Sequence, residues 1–176
     1  MGINLEIGSG CNPQPGYIHC DAFMDSNCPR ALDVVCDARR LPFDDGACDS
    51  ILMFGVFEHF GYYEIQEVLL EISRILAKGG NFKFDVPDFD WFVEAYRTRK
   101  CPRTGSPIDP VRDTMWFMKS IYGGQDAPGM FHRWGWNEEQ LTAFLKKENW
   151  NFSEVTLIGR QWRDPEENHL IFNCVK

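Results

Sequence analysis

Short apolar runs that end in acids or turn residues dominate the first ninety positions and are joined by one clear helical pattern, the order expected of parallel strand–helix units. The runs at 4–7, 17–20, 33–36, 50–54 and 81–86 predict five strands. Between the last two, residues 63–76 place Ile65, Val68, Leu69, Ile72, Ile75 and Leu76 at i, i+3 and i+4 spacing, while Glu64, Glu67, Glu71 and Arg74 face elsewhere. Lys78-Gly79-Gly80 is expected to end this helix, with a cation near its last carbonyls and a glycine in the left-handed cap. A second helix is expected over 137–147, with Leu141, Phe144 and Leu145 on one side. Residues 152–158 and 169–175 read as two strands joined by a polar turn around Asp164-Pro165, close enough to pair antiparallel. The expected fold class is therefore α/β, with a mostly parallel sheet and an antiparallel strand near the end of the chain.

The middle of the chain, 87–135, has a different texture. Pro102, Pro107, Pro110 and Pro128, with Gly105, Gly123, Gly124, Gly129 and Gly135, are expected to interrupt any long regular element there. All six tryptophans fall after residue 90, so this stretch reads either as a lid or as packing for a thin edge of the domain. At 176 residues the chain is expected to form one domain, 1–176, with 87–135 as a lid or substrate-side insertion. It has no apolar run near the ~18 residues of a membrane span and no basic, apolar leader, so no membrane partner and a cytoplasmic location are expected. A net charge of −8 argues against general binding to nucleic acid and leaves a small molecule as the expected partner. The seven cysteines contain no CxxC pair, so no metal is expected and reduced, buried thiols are. Cys11 stands apart because backbone amides of the adjacent glycine turn would lower its pKa.

Candidate chemistry begins at once. Leu5-Glu6-Ile7-Gly8-Ser9-Gly10 is a strand running into an E-x-G-x-G turn, whose glycines let backbone approach a nucleotide-like ligand. Asp21 and Asp37 close the next two apolar runs, so three strand ends carry an acid. No G-K-[ST] follows the glycines, which excludes a P-loop, and Pro13 stands where an NAD fingerprint needs its third glycine. A carboxylate at a strand end, as at Asp21, suits the vicinal hydroxyls of a ribose.

In order, LEIGSG, HCD, CDARRLPF, DSILMFGVFEHF and ISRILAKGGNFKFDVPD resemble the class I S-adenosylmethionine-dependent methyltransferases, specifically the small methyltransferase type 11-like group. The likeness covers roughly residues 4–90 and implies a single-domain Rossmann-like fold and S-adenosylmethionine as cofactor. It implies that Glu6, Gly8, Ser9 and Gly10 approach the methionine part, that Asp21 holds the ribose, and that Asp37 with Ala38 meets the adenine. Leu41-Pro42-Phe43 would form an apolar wall, and Phe54 would begin the segment lining the transfer region. Glu58-His59 follows there, with His59 the candidate general base on an acceptor hydroxyl or amine.

The chain departs from the family pattern between the first two strands, where Pro13, Pro15 and Gly16 leave no room for a helix. Loop amides around Cys11 and Asn12 are expected to replace the helix end. With no helix before the first strand in the sequence, 87–135 is the candidate to close the pocket. Within it Asp88, Trp91, Tyr96, His132, Arg133 and Trp134 offer polar and aromatic groups for a small polar acceptor, such as a sugar or nucleotide-sugar derivative. Arg97, Arg99, Lys100 and Arg103 form a basic cluster that holds an anionic part of the substrate or is solvated surface. Two alternatives stay open: a non-catalytic protein that binds S-adenosylmethionine or S-adenosylhomocysteine, and an NAD-linked oxidoreductase or epimerase.

Overall fold

The structure is a computed structural model and describes residues 2–11, 13–23, 32–101, 104–109, 114–126, 129–160 and 168–176. Its strands are β1 (Ile3–Ile7), β2 (Ile18–Asp21), β3 (Val34–Val35), β4 (Cys48–Met53), β5 (Leu76–Pro87), β6 (Glu154–Gly159) and β7 (His169–Val175). They form one sheet in the order β3-β2-β1-β4-β5-β7-β6. The first five pair in parallel, and β7 runs antiparallel to both neighbours, with Asn81 opposite Val175 and Pro87 opposite His169. The expected α/β sheet with an antiparallel end is therefore present. The order reverses at β1, which puts the exits of β1 and β4 beside each other, the place where open α/β sheets take ligands.

Among the described residues the α-helices are α1 (Glu64–Ile75), α2 (Phe89–Thr98), α3 (Thr114–Tyr122) and α4 (Glu138–Leu145). The stripe on α1 packs as its spacing predicts: Ile65, Val68, Leu69 and Ile72 are fully buried in one core with Leu5, Ile51, Met53, Phe82, Phe84 and Phe172 of the sheet. The end of α1 differs from expectation. The helix stops at Ile75 and Leu76 is extended, because β5 starts there by pairing Leu76 with Cys48. Gly79 does take a left-handed φ of 78°, but within β5, beside the irregularity in its pairing with β4. The cation at the helix end is Lys176, whose Nζ donates to the carbonyls of Ser73 at 2.6 Å and Leu76 at 2.8 Å, while Lys78 is exposed.

The middle segment is more regular than its prolines and glycines suggested. Residues 89–98 and 114–122 contain neither type, and both form helices. Asp88 caps α2 by accepting from Trp91 N, and Arg99, at φ 56°, ends it. Phe92 and Ala95 of α2 meet Phe117 of α3 in a small second cluster. Between β1 and β2 the described residues contain no helix, as Pro13 and Pro15 require. No described helix is long and apolar enough to cross a membrane. Cys20, Cys48 and Cys174 are buried thiols, as expected, whereas Cys11 is disulfide-bonded and so is not an activated thiol. Asn12, Cys28, Arg103 and the turn at Asp164-Pro165 lie outside the described residues.

Lys176→Met removes two charge-assisted bonds at the C-terminal end of α1 and is expected to lower stability in urea unfolding by about 1 kcal/mol. Lys78→Met, by contrast, should shift it by less than about 0.5 kcal/mol. Equal effects of the two would put the capping cation in the wrong place.

Candidate functional site

Buried Leu5 and Ile7 anchor β1, and the chain turns directly after them. Gly8 and Gly10 take φ of 69° and 49°, left-handed conformations that favour glycine. The amides of Gly8 and Ser9 donate to the Cys20 carbonyl at 2.8 and 3.3 Å, which locks the exits of β1 and β2 together. A Cβ on Gly8 would stand 2.1 Å from Val56 Cγ2, so the β4 exit packs onto bare backbone. Among the described residues no atom lies within 4 Å of where a Cβ on Gly10 would stand. The Ser9 hydroxyl is buried, with no hydrogen-bond partner among them. Glu6 is placed differently from expectation. Its Oε2 accepts from the Gln14 amide at 2.7 Å and meets His19 Nδ1 at 3.0 Å, so it braces the β1–β2 loop.

Asp21 lies at the end of β2 and accepts from the amides of Phe23 at 3.1 Å and Gly10 at 3.3 Å, which points it along the glycine turn. Asp37 follows β3. The Arg39 guanidinium grips it, with Nη2 at 2.6 Å and Nε at 3.0 Å, and holds its carboxyl below the usual range. Arg39 also donates to Glu64 at 3.0 Å, and Glu64 accepts in turn from Arg133. This chain of charges ties the β3 exit to the 129–135 stretch. Ala38 and Leu41 are buried in the main core rather than presented as an open wall, and Phe54 is half-buried.

At the β4 exit Gly55 takes φ 65°, and its amide donates to Asp85 Oδ1 at 2.7 Å. A short turn, Phe57–His59, then presents Glu58 and His59. The middle segment returns here: Arg133 N donates to the Glu58 carbonyl at 2.8 Å, and His132 Nε2 lies 3.9 Å from Glu58 Oε1. The rings of His59 and His132 meet edge to face at 4.9 Å. Each imidazole has its Nδ1 3.0 Å from a backbone carbonyl, Phe131 for His59 and Ser120 for His132. A carbonyl only accepts, so Nδ1 carries the hydrogen and Nε2 the lone pair. Burial holds both rings below the ordinary histidine value, His132 at about 4, and drives Glu58 up to about 8, with help from the charge of Asp85. A Cβ on Gly129 would fall 2.8 Å from Phe23 Cε2, so the same stretch also lies against the residue two past Asp21.

Trp91 and Tyr96 do not join this group. The Tyr96 ring packs on Phe117 with Arg99 stacked over it at 4.2 Å, and Trp91 packs on Phe92. Arg97 pairs with Glu94, so the basic cluster is partly neutralised within its own helix. An aromatic groove of about 300 Å³ opens beside Trp134, lined by Tyr62, Trp136, Phe144 and Lys147.

The family model described as a methyltransferase domain matches residues 17–84, which run from β2 into β5. That stretch is therefore similar to a methyltransferase domain of the type 11 group. Among curated proteins, Probable tRNA methyltransferase 9B of Mus musculus is 30% identical over 100 residues, 55% of this chain and 20% of that protein. The chain thus matches about a fifth of the length of that relative. Among solved structures, a Thermotoga maritima S-adenosylmethionine-dependent methyltransferase, described as a possible histamine N-methyltransferase, superposes with a TM-score of 0.62 at 16% identity, covering 100% of this chain and 83% of that one. A phosphoethanolamine N-methyltransferase 2 of Haemonchus contortus, solved with phosphomonomethylethanolamine and S-adenosylhomocysteine, superposes at 0.56 and 12% identity, covering 100% of this chain and 49% of that one.

The residues at these strand ends fit a nucleoside-bearing cofactor. Open space at Gly10, an unpaired Ser9 hydroxyl and the Asp21 carboxylate, which accepts from only two amides among the described residues, stand at adjacent strand ends. Three contacts around these strand exits escape the sequence: the buried Asp85–His169 pair at 2.8 Å, the Arg39–Glu64–Arg133 chain, and the approach of His132 to Glu58. Each joins residues more than twenty positions apart, and no local pattern marks them.

Glu58 sets a pH dependence. An acid whose folded pKa is raised binds more protons folded than unfolded, so stability falls as pH rises from about 4.5 to about 8. His132, lowered from 6.5 to about 4, acts in the opposite sense but only below 6.5. Between pH 6.5 and 8 in chelator-containing buffer the domain should therefore lose stability by roughly 1–2 kcal/mol, read by urea unfolding. Glu58→Gln should flatten that decline, and an unchanged slope would contradict the buried, protonated carboxyl.

Proposed function

We propose that this chain transfers a methyl group from S-adenosylmethionine to a small polar acceptor, a sugar or nucleotide-sugar derivative being the class in view. The observation that carries the reading is the convergence, at neighbouring strand exits, of the Gly8–Gly10 turn, Asp21 and Asp37 with the Glu58, His59 and His132 group. In this reading Ser9 and the loop amides hold the amino-acid end of the cofactor, Asp21 the ribose hydroxyls and Asp37 the adenine edge. The bound cofactor supplies an activated, electrophilic methyl group.

What is left to the protein is modest. It must align the acceptor, exclude water and take one proton. His59 is the proton acceptor in this reading, because its ring is neutral near pH 7 and its Nε2 bears the lone pair. Arg133 is occupied by Glu64, so it positions the 129–135 stretch and does not bind the acceptor directly. An RNA acceptor, which the name of the mouse relative brings into view, fits less well with a net charge of −8.

Titration calorimetry with S-adenosylhomocysteine is expected to show one site with a Kd of about 1–100 μM, weakened at least about tenfold by Asp21→Ala, with no heat from NADH. In a panel of sugars, nucleotide-sugars, amines and RNA, a methylated product is expected with a small polar acceptor. His59→Ala should lower kcat by about 10²-fold or more while the cofactor Kd holds. Absence of binding at millimolar cofactor would overturn the reading, and binding without turnover on any acceptor would favour a cofactor-binding protein instead.

A further inference from the structure

Glu58, His59 and His132 make a group that the methyl-transfer reading does not fully explain. One ligand atom from each, a carboxylate oxygen and two imidazole nitrogens, lies within 4.8 Å of the others. Glu58 is 3% exposed, and its Oε2 has no hydrogen-bond partner among the described residues. A buried oxygen of this kind costs stability unless something pairs with it. His132 Nε2, 3.9 Å from the other oxygen, Oε1, bears a lone pair because Nδ1 donates to the Ser120 carbonyl, so it offers the carboxyl no proton. His59 is arranged in the same way through the Phe131 carbonyl, and the Gly55 carbonyl also lies near its ring. Two imidazole lone pairs and a buried carboxyl therefore face one another, and an incoming cation would displace the carboxyl's own proton. An imidazole whose second nitrogen is tied to a backbone carbonyl is the usual state of a metal-bound histidine.

We infer that Glu58, His59 and His132 form a binding site for a divalent transition-metal ion that links the 129–135 stretch to the exit of β4. Two imidazoles and one carboxylate suit Zn²⁺, Fe²⁺, Co²⁺ or Mn²⁺ better than Mg²⁺ or Ca²⁺, which take oxygen ligands. Metal–ligand bonds of about 2.0–2.2 Å put ligand atoms roughly 3–3.5 Å apart, so the group closes by about 1 Å on binding. Two features supply the field and the mobility this needs. Asp85 adds a second buried negative charge close to Glu58, and His132 sits on a connecting segment while Glu58 and His59 sit on a turn. An occupied site uses both Nε2 lone pairs, so the proton acceptor assigned above to His59, on the methyl-transfer reading, would operate only in the metal-free protein.

Titration of tag-free protein with Co²⁺, without cofactor or acceptor, tests the site. Expected are one bound equivalent, weak visible absorption of nitrogen and oxygen ligation, and a rise in Tm that chelator reverses. Glu58→Gln and His132→Asn should each weaken binding at least about tenfold, while His19→Asn, outside the group, leaves it unchanged. Metal-free melting curves of the variants establish that they fold. No binding to the wild type at millimolar Co²⁺, an intense near-ultraviolet thiolate band, or unchanged affinity in folded Glu58→Gln and His132→Asn would each overturn the inference. S-adenosylhomocysteine binding measured in chelator is independent of the ion, so the cofactor reading stands or falls separately.

Discussion

A carboxylate with no exposure to water must be satisfied by protein donors, and Asp85 meets that demand with the Gly55 amide on one oxygen and His169 on the other. Those two partners come from opposite sides of the sheet centre. The first fixes the left-handed bend at which β4 ends, and the second pins β7 to the last turns of β5. Everything that stands at the mouth of the site hangs from that bend: Val56 against bare Gly8, then the turn bearing Glu58 and His59. The negative charge of Asp85 also reaches Glu58 and helps to keep it protonated near neutral pH.

A second economy lies between β1 and β2. Where a helix would ordinarily offer its amides, Pro13 and Pro15 leave a loop, and the loop needs its own support. Glu6 provides it by bonding the Gln14 amide and His19, while the Cys20 carbonyl gathers the amides of Gly8 and Ser9. Rigidity is thus supplied by a buried carboxylate and one shared carbonyl in place of a helical ladder. On the other flank, Arg39 and Arg133 converge on Glu64 at the start of α1, so the residue that grips Asp37 and the returning middle segment are held by the same side chain. These partly exposed ion pairs contribute geometry more than stability.

Much of this arrangement was legible in the chain. Alternating apolar runs placed all seven strands to within a few residues, because a buried parallel sheet leaves continuous apolar runs and their acidic ends mark the turns. The stripe on α1 was equally plain. Its end was not, since Leu76 satisfies both a helical and a strand pattern and only pairing with Cys48 decides between them. Helices α2 and α3 were hidden by prolines and glycines that turn out to flank them. Of the candidate site residues, the strand-end positions of Gly8, Asp21 and Asp37 can be read locally. The contacts of Glu6, Arg39, Glu64 and His132 reach across the fold, and composition alone points Trp91 and Tyr96 toward the site, although Trp91 packs on its neighbour Phe92 and Tyr96 on Phe117 of α3.

The central claim is that one ligand spans the exits of β1, β2 and β3, with its reactive end toward the Glu58, His59 and His132 group. A crystal structure with S-adenosylhomocysteine tests it most directly. The account predicts ribose oxygens within hydrogen-bond distance of Asp21 and the sulfur facing the 55–59 stretch. Ligand density elsewhere, or with its adenine against Glu58 and its amino-acid end at Asp37, would contradict it.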